Sequence, residues 1–392
     1  MLGGSNIRFV FGEPSVNRGD CPQRHSFTVA APDLWTTLKI LLRPNLWVGE
    51  SYVAGKWYLI QGDLADFLEA IQVSANPVFR SYYRILSGMR GLHFFLRQHL
   101  LTYFFTRKVA RHYEIDSRIY ELILDEHMLY TCAFFNSGHE ELAKAQQEKL
   151  AATIERLSLP SGDAAVLDIG CGWGAIERAV VRQYPKASVC GLTISKSQID
   201  WARNRDAACL SVEQAQRIEY RLEDYLDHNN EGYYDAICVV GMIEHVGLSG
   251  YPVFFERIYK LLKLRGNAVI HTIVSPDPAH PTNAWIDRHI FMGGHAPSIS
   301  ELVRSAEMQG FRISGVHVYP PRHYHQTIKC WLHNFQTNSR LIETHLRNRG
   351  SSDAEIDRFI RTWAFYLSGV RGMFAEGAKG SHQIVQLCLL RL

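Results

Sequence analysis

Apolar segments alternate with amphipathic helical segments after about residue 150, and this alternation constrains the fold more than any other feature of the 392-residue chain. The apolar segments are AAVLDIGCG (164–172), ASVCGLTIS (187–195), RIEYRLEDY (217–225), YDAICVVG (234–241) and NAVIHTI (267–273). The helical segments are AIERAVVRQY (175–184), KSQIDWARNRDAACL (196–210) and YPVFFERIYKLLK (251–263). Such a pattern indicates an α/β fold with a mostly parallel sheet covered on both faces. FRISGVHVYP (311–320) and SHQIVQLCLLRL (381–392) are predicted to complete the sheet, with a helical insertion at 336–380.

Three glycines separate the first predicted strand from the first helix, in VLDIGCGWGA (166–175). Gly170, Gly172 and Gly174 form a G-x-G-x-G loop, whereas a dinucleotide site needs G-x-G-x-x-G so that a pyrophosphate meets the helix N-terminus. Asp168 just before the loop would repel a pyrophosphate, but it can engage a cationic or amino-acid-like ligand. S-adenosylmethionine carries an ammonium and a sulfonium group. The loop therefore predicts an S-adenosylmethionine site and argues against an NAD-dependent oxidoreductase.

Composition narrows the class of protein further. With 46% hydrophobic and 21% charged residues, the chain is typical of a globular protein with one large or two modest domains. A net charge of +3 gives no reason to expect a nucleic-acid partner. The eight cysteines have no CxxC spacing, which argues against a zinc site and a disulfide framework. Without a signal-like N-terminus or an apolar run of about 20 residues, a cytoplasmic location is expected.

The first hundred residues are predicted to form a smaller N-terminal α+β domain. Helices are expected at DLWTTLKILL (33–42) and GDLADFLEAIQV (62–73), separated by a turn-rich piece, RPNLWVGESYVAGKW (43–57). The segment 70–113 contains no Asp or Glu, but seven Arg and Lys residues stand among its aromatic and aliphatic ones. This basic aromatic segment suits an interface with anionic lipid headgroups, or a linker helix wrapped on its own protein.

Glu244 and His245 follow directly on a segment built for burial, in AICVVGMIEHVGLSGY (236–251). An isolated Glu-His pair at the end of a strand usually marks the place where the strand reaches the surface. The alternative is that the strand presents a carboxylate and an imidazole to a site at the edge of the sheet, where Gly170 and its neighbours also lie.

Several motifs together resemble the cyclopropane fatty acid synthase family and the related mycolic acid methyltransferases. They are HYEIDSRIYELILDEHMLYTCAFF (112–135), VLDIGCGWG (166–174), TISKSQ (193–198), GMIEHVG (241–247), HTI (271–273) and HYHQTIKCW (323–331), in family order. GESYVAGKW (49–57) also resembles the N-terminal domain of the family. The resemblance implies a class I methyltransferase fold over residues 114–392 with a helical cap. It also implies an N-terminal domain over 1–100 for lipid docking or dimerisation, with a linker to about residue 113.

The family transfers a methylene from S-adenosylmethionine to a cis double bond in an acyl chain, through a carbocation whose proton is taken by bound bicarbonate. By resemblance, the bicarbonate pocket comprises Cys132, Glu244, His271, the backbone of Ile273, and Tyr324. Glu244 would organise the anion in its protonated form or through the OH of bicarbonate, so a raised pKa is expected. Tyr130, Trp173 and Phe291 are candidates for cation–π stabilisation of the sulfonium or carbocation. His245 has a weaker claim to a direct role.

The resemblance also predicts the residues that bind S-adenosylmethionine: Tyr130, Thr131, Asp168, Gly170, Cys171, Gly172, Trp173, Gly174, Thr193, Ser195, Gln198, Leu222 and Glu223. Thr193 and Ser195 stand at the end of the second strand, where sheets of this type often have an acidic residue for the ribose hydroxyls. Leu222 and Glu223 are placed near the adenine, and Asp224 offers the same chemistry one residue later.

Unsaturated phospholipid acyl chains at a membrane surface are the expected substrate, and a homodimer is the expected assembly. A methyl-branched or methylene-branched lipid product, or methylation of a soluble small molecule, would require most of the same residues. A lipid-binding protein with an inactive site is a third interpretation, but binding alone has no use for a proton acceptor.

Overall fold

A small mixed sheet and three helices form the N-terminal part of the computed structural model, which describes residues 6–10, 26–73, 116–276, 282–376 and 381–392. Strands β1 (Asn6–Val10) and β2 (Ser26–Ala30) are parallel, and β3 (Tyr58–Gln61) pairs antiparallel with β2. Helices α1 (Leu34–Leu42) and α2 (Pro44–Val53) precede β3, and α3 (Leu64–Val73) follows it. Phe27, Trp57 and Phe67 form the centre of a small apolar core here.

Helix α2 corrects one prediction, because the piece 43–57 is mostly helix and not a series of turns. Pro44 occupies the first turn of the helix, where the missing N–H costs nothing and the fixed φ angle suits a helix. Gly49 is required by packing. A Cβ at this position would lie 2.5 Å from the Trp285 ring. The predictions for α1 and α3 are confirmed. The basic aromatic segment lies outside the described residues from position 74 to position 113.

A seven-stranded sheet forms the centre of the rest of the molecule. Its strands are β4 (Ala165–Ile169), β5 (Ser188–Thr193), β6 (Ile218–Leu222), β7 (Tyr234–Val240), β8 (Leu262–Val274), β9 (Phe311–Tyr319) and β10 (Gln383–Arg391). Their spatial order is β6-β5-β4-β7-β8-β10-β9, and β10 runs antiparallel to both of its neighbours. The predicted mostly parallel α/β sheet is therefore confirmed.

Helices cover both faces of this sheet. Helices α4 (Ser117–Ile123) and α5 (Leu142–Leu157) precede β4, and α6 (Ala175–Gln183), α7 (Lys196–Cys209), α8 (Val212–Ala215) and α9 (Tyr251–Leu261) connect the parallel strands. Helices α10 (Ala284–His289) and α11 (Ile299–Met308) follow β8. Apolar side chains from α5 and α6 pack on one face of the sheet, and those from α9 and α11 pack on the other. Because the helices cover the two faces of the sheet, the carboxyl ends of its parallel strands remain available to form a site.

Three helices between β9 and β10 form the helical cap: α12 (Arg322–Thr337), α13 (Ser339–Asn348) and α14 (Asp353–Met373). The cap therefore begins at Arg322 and not at position 336 as predicted, because α12 follows β9 almost directly. Helix α14 also contacts the N-terminal part, because Gln72 Nε2 donates to the Gly369 carbonyl at 3.0 Å and Arg371 pairs with Asp66 and Glu69. The division into residues 1–100 and 114–392 remains a prediction. In the part of the chain that the structure describes, no helix has the length and apolar character to cross a bilayer.

Candidate active site

The glycine loop after β4 shapes the floor of the candidate site. Gly170, Gly172 and Gly174 all have positive φ angles, of 87°, 54° and 82°. A Cβ at Gly170 would lie 2.9 Å from Met242, and one at Gly174 would lie 2.2 Å from the Tyr220 hydroxyl. A Cβ at Gly172 would meet nothing within 4 Å. The outer two glycines therefore permit close packing, whereas Gly172 presents bare backbone to an open cavity.

The cavity lies at the carboxyl ends of β4 to β7 and brings together most of the residues predicted to bind S-adenosylmethionine. Those that line it are Tyr130, Thr131, Asp168, Gly170, Cys171, Gly172, Trp173, Thr193, Ser195, Gln198 and Glu223. Gly174 instead begins helix α6, and Leu222 lies outside the lining with an exposed side chain. Asp224 lines the cavity next to Glu223. The residues placed near the adenine are therefore Glu223 and Asp224, one position later than the predicted Leu222 and Glu223.

Hydroxyl groups replace an acidic side chain at the end of β5. Thr193 Oγ1 donates to Gln198 Oε1 at 2.7 Å, and Ser195 caps α7 by accepting from the Gln198 backbone N–H. All three side chains are buried at the cavity wall. This arrangement holds the Gln198 amide and the two hydroxyls in place, and these groups can hydrogen-bond ribose hydroxyls without a carboxylate.

Two buried carboxyl groups face each other beneath the glycine loop. Asp168 is 2% exposed and Glu177 is fully buried. Within the described residues, no N–H or O–H group of another side chain reaches Asp168 Oδ1 or either Glu177 carboxyl oxygen, which leaves a shared proton as their hydrogen bond. Burial raises the pKa of Asp168 to about 7 and raises the pKa of Glu177 well above its usual range. At neutral pH Glu177 is therefore a protonated acid next to Asp168.

Lys149 places a positive charge near this pair. Its ammonium group is fully buried and donates to Thr131 Oγ1 at 2.8 Å, and burial lowers its pKa to about 8. Sequence reasoning missed both Lys149 and Glu177. The available signal was a charged residue on the apolar face of an amphipathic helix. Lys149 stands four residues after Ala145, and Glu177 four residues before Val181.

Glu244 lies at the start of a short 3₁₀ turn after β7 and reaches the end of β8. The Ile273 backbone N–H donates to Glu244 Oε1 at 3.0 Å. The second oxygen, Oε2, is buried and has no hydrogen-bond partner within the part of the chain that the structure describes. Burial raises the pKa of Glu244, while the Ile273 N–H opposes this shift. The carboxyl is thus poised to share a proton with a further group.

His271 is held as a neutral imidazole in the same region. Burial, together with the positive charges of Lys149 and Arg156, lowers its pKa well below the usual range. Arg156 donates to Gln386 Oε1 at 2.7 Å, which orients the Gln386 amide so that Nε2 faces His271 Nδ1 at 3.3 Å. Gln386 therefore donates to Nδ1 and leaves the imidazole proton on Nε2. Gln386 is a functional residue that sequence reasoning missed, because nothing in β10 identifies its partner.

Cys132 and Tyr324 lie in one apolar cluster, and Ile273 packs against it. The Cys132 thiol is 1% exposed and donates to the Ala133 carbonyl at 3.3 Å, and burial raises its pKa so that it stays protonated. The Tyr324 ring packs on Phe374 with centroids 4.5 Å apart. His271 and Ile273 are two residues apart on β8 and so point to the same face of the sheet. The five predicted pocket residues therefore belong to adjoining elements, and a direct hydrogen bond joins Glu244 to Ile273.

Aromatic rings from the helical cap pack behind Tyr130, which lines the cofactor cavity. Tyr130 donates its hydroxyl to the Tyr366 hydroxyl at 2.9 Å, and its ring lies 5.1 Å from the Trp331 ring. Tyr120 packs between Tyr130 and Trp173, with centroids 5.3 and 4.9 Å away. Sequence reasoning named Tyr130 and Trp173 but missed the other three. Phe291 contacts the His245 ring at 5.6 Å, and burial lowers the pKa of His245 to about 4.

The residues present fit S-adenosylmethionine. Gly172 leaves room for a ligand against the backbone, and the Asp168 carboxyl at the cavity can accept from an ammonium group. Aromatic faces beside the cavity suit a sulfonium. Together with the sheet order, these features define the chain as an S-adenosylmethionine-dependent methyltransferase.

The model of the family Mycolic acid cyclopropane synthetase matches residues 104–385, and the chain belongs to this family. The cyclopropane-fatty-acyl-phospholipid synthase of Escherichia coli K12 is 30% identical over 346 residues, which are 88% of this chain and 83% of that protein. The tuberculostearic acid methyltransferase of Mycobacterium tuberculosis is 28% identical over 388 residues, 95% of this chain and 85% of that protein.

Solved structures agree with this assignment. The cyclopropane synthase MmaA2 of Mycobacterium tuberculosis aligns with a TM-score of 0.62 and 26% identity, over 72% of this chain and 97% of that one. The mycolic acid cyclopropane synthase CmaA1, complexed with SAH and CTAB, aligns with a TM-score of 0.61 and 27% identity, over 72% and 96% of the two chains. The predicted family, fold class and enzyme class are therefore confirmed, and the family comprises lipid methyltransferases and cyclopropane synthases.

Proposed function

We propose that the protein is a cyclopropane-fatty-acyl-phospholipid synthase that adds a methylene to the cis double bond of unsaturated phospholipid acyl chains. The π electrons of the double bond would form the new carbon–carbon bond to the methyl group as the carbon–sulfur bond of S-adenosylmethionine breaks. S-adenosylhomocysteine would be the leaving group, and the neighbouring carbon would become a carbocation. A proton then leaves the transferred methyl group, and its bonding electrons close the ring. The observation that supports this proposal best is Glu244, a buried carboxyl with one oxygen on the Ile273 N–H and the other without a partner among the described residues.

Bound S-adenosylmethionine supplies an electrophilic methyl group. Gly172 and its neighbours in the loop would hold the amino-acid part, and Asp168 would accept from its ammonium group. Thr193, Ser195 and Gln198 would bind the ribose, and Glu223 with Asp224 would lie near the adenine. Gly174 begins the helix behind the loop and supports it. The faces of Tyr130 and Trp173 would stabilise positive charge while excluding water that could capture a carbocation.

Bicarbonate would supply the proton acceptor, and the residues around Glu244 fit it. The unpaired Glu244 Oε2 can accept from the OH of bicarbonate, or donate to its oxygen when Glu244 is protonated. The protonated Nε2 of neutral His271 and the Tyr324 hydroxyl are the further donors, and Cys132 is a weak one. A neutral imidazole and a thiol leave the anion free to take a proton, since neither group competes as a strong base near neutral pH.

A lipid C-methyltransferase that forms a methyl-branched or methylene-branched chain is the second candidate. The similarity to a tuberculostearic acid methyltransferase over 95% of this chain favours it. Both reactions need the same donor and the same double bond. Loss of a proton from a chain carbon would leave a methyl-branched alkene, and a hydride shift from the methylated carbon to the cationic carbon before the methyl group loses its proton would leave a methylene branch. A saturated methyl branch would need a further reductant. Product analysis therefore separates them.

The substrate class suggests the setting in which the enzyme works. We infer a cytoplasmic enzyme associated peripherally with the membrane, acting as a homodimer on phospholipids in the bilayer. Residues 1–100 would serve docking or dimerisation, and residues 114–392 catalysis.

The test combines purified protein, methyl-labelled S-adenosylmethionine, bicarbonate and vesicles of monounsaturated phospholipid. Mass spectrometry of the released fatty acids should find the added mass of one CH₂, and proton NMR should identify a cyclopropane ring. A branched product would replace the first candidate with the second. An absence of labelled lipid, with cofactor still bound, would reject both.

A Glu244→Gln variant tests the proton acceptor. In buffer freed of carbon dioxide, added bicarbonate should increase the rate of the parent enzyme, and the variant should lose about 10²- to 10⁴-fold in rate. Glu256→Gln makes the same chemical change on the exposed face of α9 and should keep the parent rate. A Glu244→Gln variant with the full rate and the full bicarbonate response would remove Glu244 from the mechanism.

A further inference from the structure

Helix α1 has its amphipathic character reversed, because its outward face is more apolar than its inward face. The outward face consists of Leu34, Trp35, Leu38, Leu41 and Leu42, which we call the α1 surface. Leu34 is 88% exposed and Trp35 is 65% exposed, whereas the polar Thr36 is only 8% exposed and faces the protein. A surface helix normally turns such residues the other way. A contiguous exposed patch of leucine and tryptophan marks a surface that binds an apolar partner.

Positive charges outnumber negative ones in the sequence around the α1 surface. No Asp or Glu occurs between positions 34 and 49, while Lys39 and Arg43 lie on or beside the helix. The Lys39 ammonium group lies 5.6 Å from the Trp35 ring and 4.6 Å from the Trp47 ring, so the cation is held against aromatic faces. Asp33 at the start of the helix is committed to capping, since its two oxygens accept from the Thr36 N–H and hydroxyl, each at 2.8 Å.

We propose that the α1 surface inserts into the headgroup and acyl boundary of an anionic phospholipid bilayer. Leucine side chains would enter the acyl region, Trp35 would lie at the level of the headgroups, and Lys39 and Arg43 would contact the lipid phosphates. Lys56, exposed in the turn before β3, adds a third cation to the same N-terminal part. The inference deepens the proposed function, on which its choice of a phospholipid bilayer rests, by naming the element that docks.

The charges favour a bilayer over a second copy of this chain. In a two-fold symmetric contact the same patch meets itself, so Lys39 and Arg43 would face their own copies. Asp33 at the edge of the patch caps the helix and already lies in the field of Lys56, so Lys39 and Arg43 would outnumber the carboxylates available to them in such an interface. An anionic lipid surface offers apolar chains and negative phosphates together, which is the combination that the α1 surface can satisfy.

Binding to vesicles should depend on single residues of the α1 surface. Each leucine moved from water into the acyl region contributes about tenfold or more to the partition constant, and each cation near an anionic surface about fivefold. Leu38→Glu removes one such contribution and places a negative charge at the bilayer, so we expect vesicle binding to fall by at least about tenfold. Leu34→Glu is the second variant, and an acidic side chain in the first turn favours the helix, so folding is preserved.

The experiment measures cosedimentation with vesicles of phosphatidylglycerol and phosphatidylethanolamine whose acyl chains are saturated, with no S-adenosylmethionine present. Binding is then independent of any reaction. Leu264→Glu is the matched control. Leu264 lies near the start of β8 and is 71% exposed, and the variant makes the same change of side chain and charge away from α1. Circular dichroism and S-adenosylmethionine binding confirm that each variant is folded, and light scattering gives the mass of each in solution.

Weak vesicle binding by both α1 variants, normal binding by Leu264→Glu and an unchanged mass would support the proposal. Parent-like binding by folded Leu38→Glu and Leu34→Glu would overturn it. So would a variant that loses vesicle binding only because a dimer has dissociated, which would assign the α1 surface to a second copy. If the parent binds vesicles through α1 yet methylates no lipid in the product assay, the proposed function fails while the docking inference stands.

Discussion

The buried pair of carboxyl groups under the glycine loop predicts an unusual dependence of stability on pH. In the native protein the pKa of Asp168 is raised by burial from 3.8 to about 7, and the pKa of Glu177 is raised well above 4.5. Between about pH 4.5 and 7 the native state therefore keeps protons that the unfolded chain has released. The free energy of unfolding falls as pH rises wherever the native state binds more protons. The raised Asp168 pKa alone corresponds to about 4 kcal/mol, lost progressively up to pH 7.

Glu177→Gln isolates one of the two protons. The amide cannot ionise, and its N–H can donate to Asp168 and stabilise the carboxylate form. The parent protein loses about 1.4 kcal/mol per pH unit through Glu177, since the native state holds this proton and the unfolded chain does not. Between about pH 5.5 and 7 the stability of the variant relative to the parent should therefore rise by at least about 2 kcal/mol, and by more because the amide also lowers the pKa of Asp168. Taking the difference cancels the contributions of Glu244, His245, His271 and Lys149, whose pKa values are also shifted by burial.

Urea unfolding followed by circular dichroism at several pH values measures this difference. Glu213→Gln serves as the control because Glu213 is an exposed residue in the first turn of α8 and undergoes the same chemical change. If the difference between Glu177→Gln and the parent stays constant from about pH 5.5 to 7, Glu177 is not a protonated acid in the native protein, and the assignment of a shared proton is wrong.

Three further predictions concern the site. Gly172→Ala should weaken S-adenosylmethionine binding, measured by calorimetry, with a modest loss of stability, because its Cβ enters the open cavity. Gly174→Ala should unfold at a distinctly lower urea concentration, because its Cβ would lie 2.2 Å from the Tyr220 hydroxyl. Equal effects of the two variants on binding and stability would contradict this separation. Gln386→Leu should lower the free energy of unfolding by about 1–3 kcal/mol for each buried partner left unpaired. It should also slow methyl transfer without changing cofactor affinity, since the imidazole proton of His271 is no longer held on Nε2. Parent-like stability and rate would exclude this network. Trp331→Ala should lower the free energy of unfolding by about 3–5 kcal/mol in urea titrations because the indole is fully buried, and a loss below about 1 kcal/mol would show that the cap packs loosely.

The order of strands and helices around the glycine loop could be read from the sequence because it depends on local patterns. Apolar runs of strand length predicted β4 to β10, and helical periodicity predicted α6, α7, α9 and the cap from position 336, but not α8, α10, α11 or most of α12. The position of Asp168 and the loop after it followed from the rule that ligands bind at the carboxyl ends of parallel strands. Local pattern failed at α2, where proline and glycine indicated turns, since the need for Gly49 depends on Trp285, more than two hundred residues away.

The partners of the site residues were decided by the tertiary structure. The sequence placed a carboxylate at Glu244 and an imidazole at His271, but the Ile273 N–H and the Gln386 amide that orient them lie on other elements. Periodicity alone assigns Glu177 and Lys149 to buried helix faces without saying that Asp168 lies between them, and it assigns Leu34, Trp35 and Leu38 to an apolar face without saying that this face points outward. A helical period fixes which residues share a face, whereas packing against distant segments decides whether that face meets the core, the cofactor or a membrane.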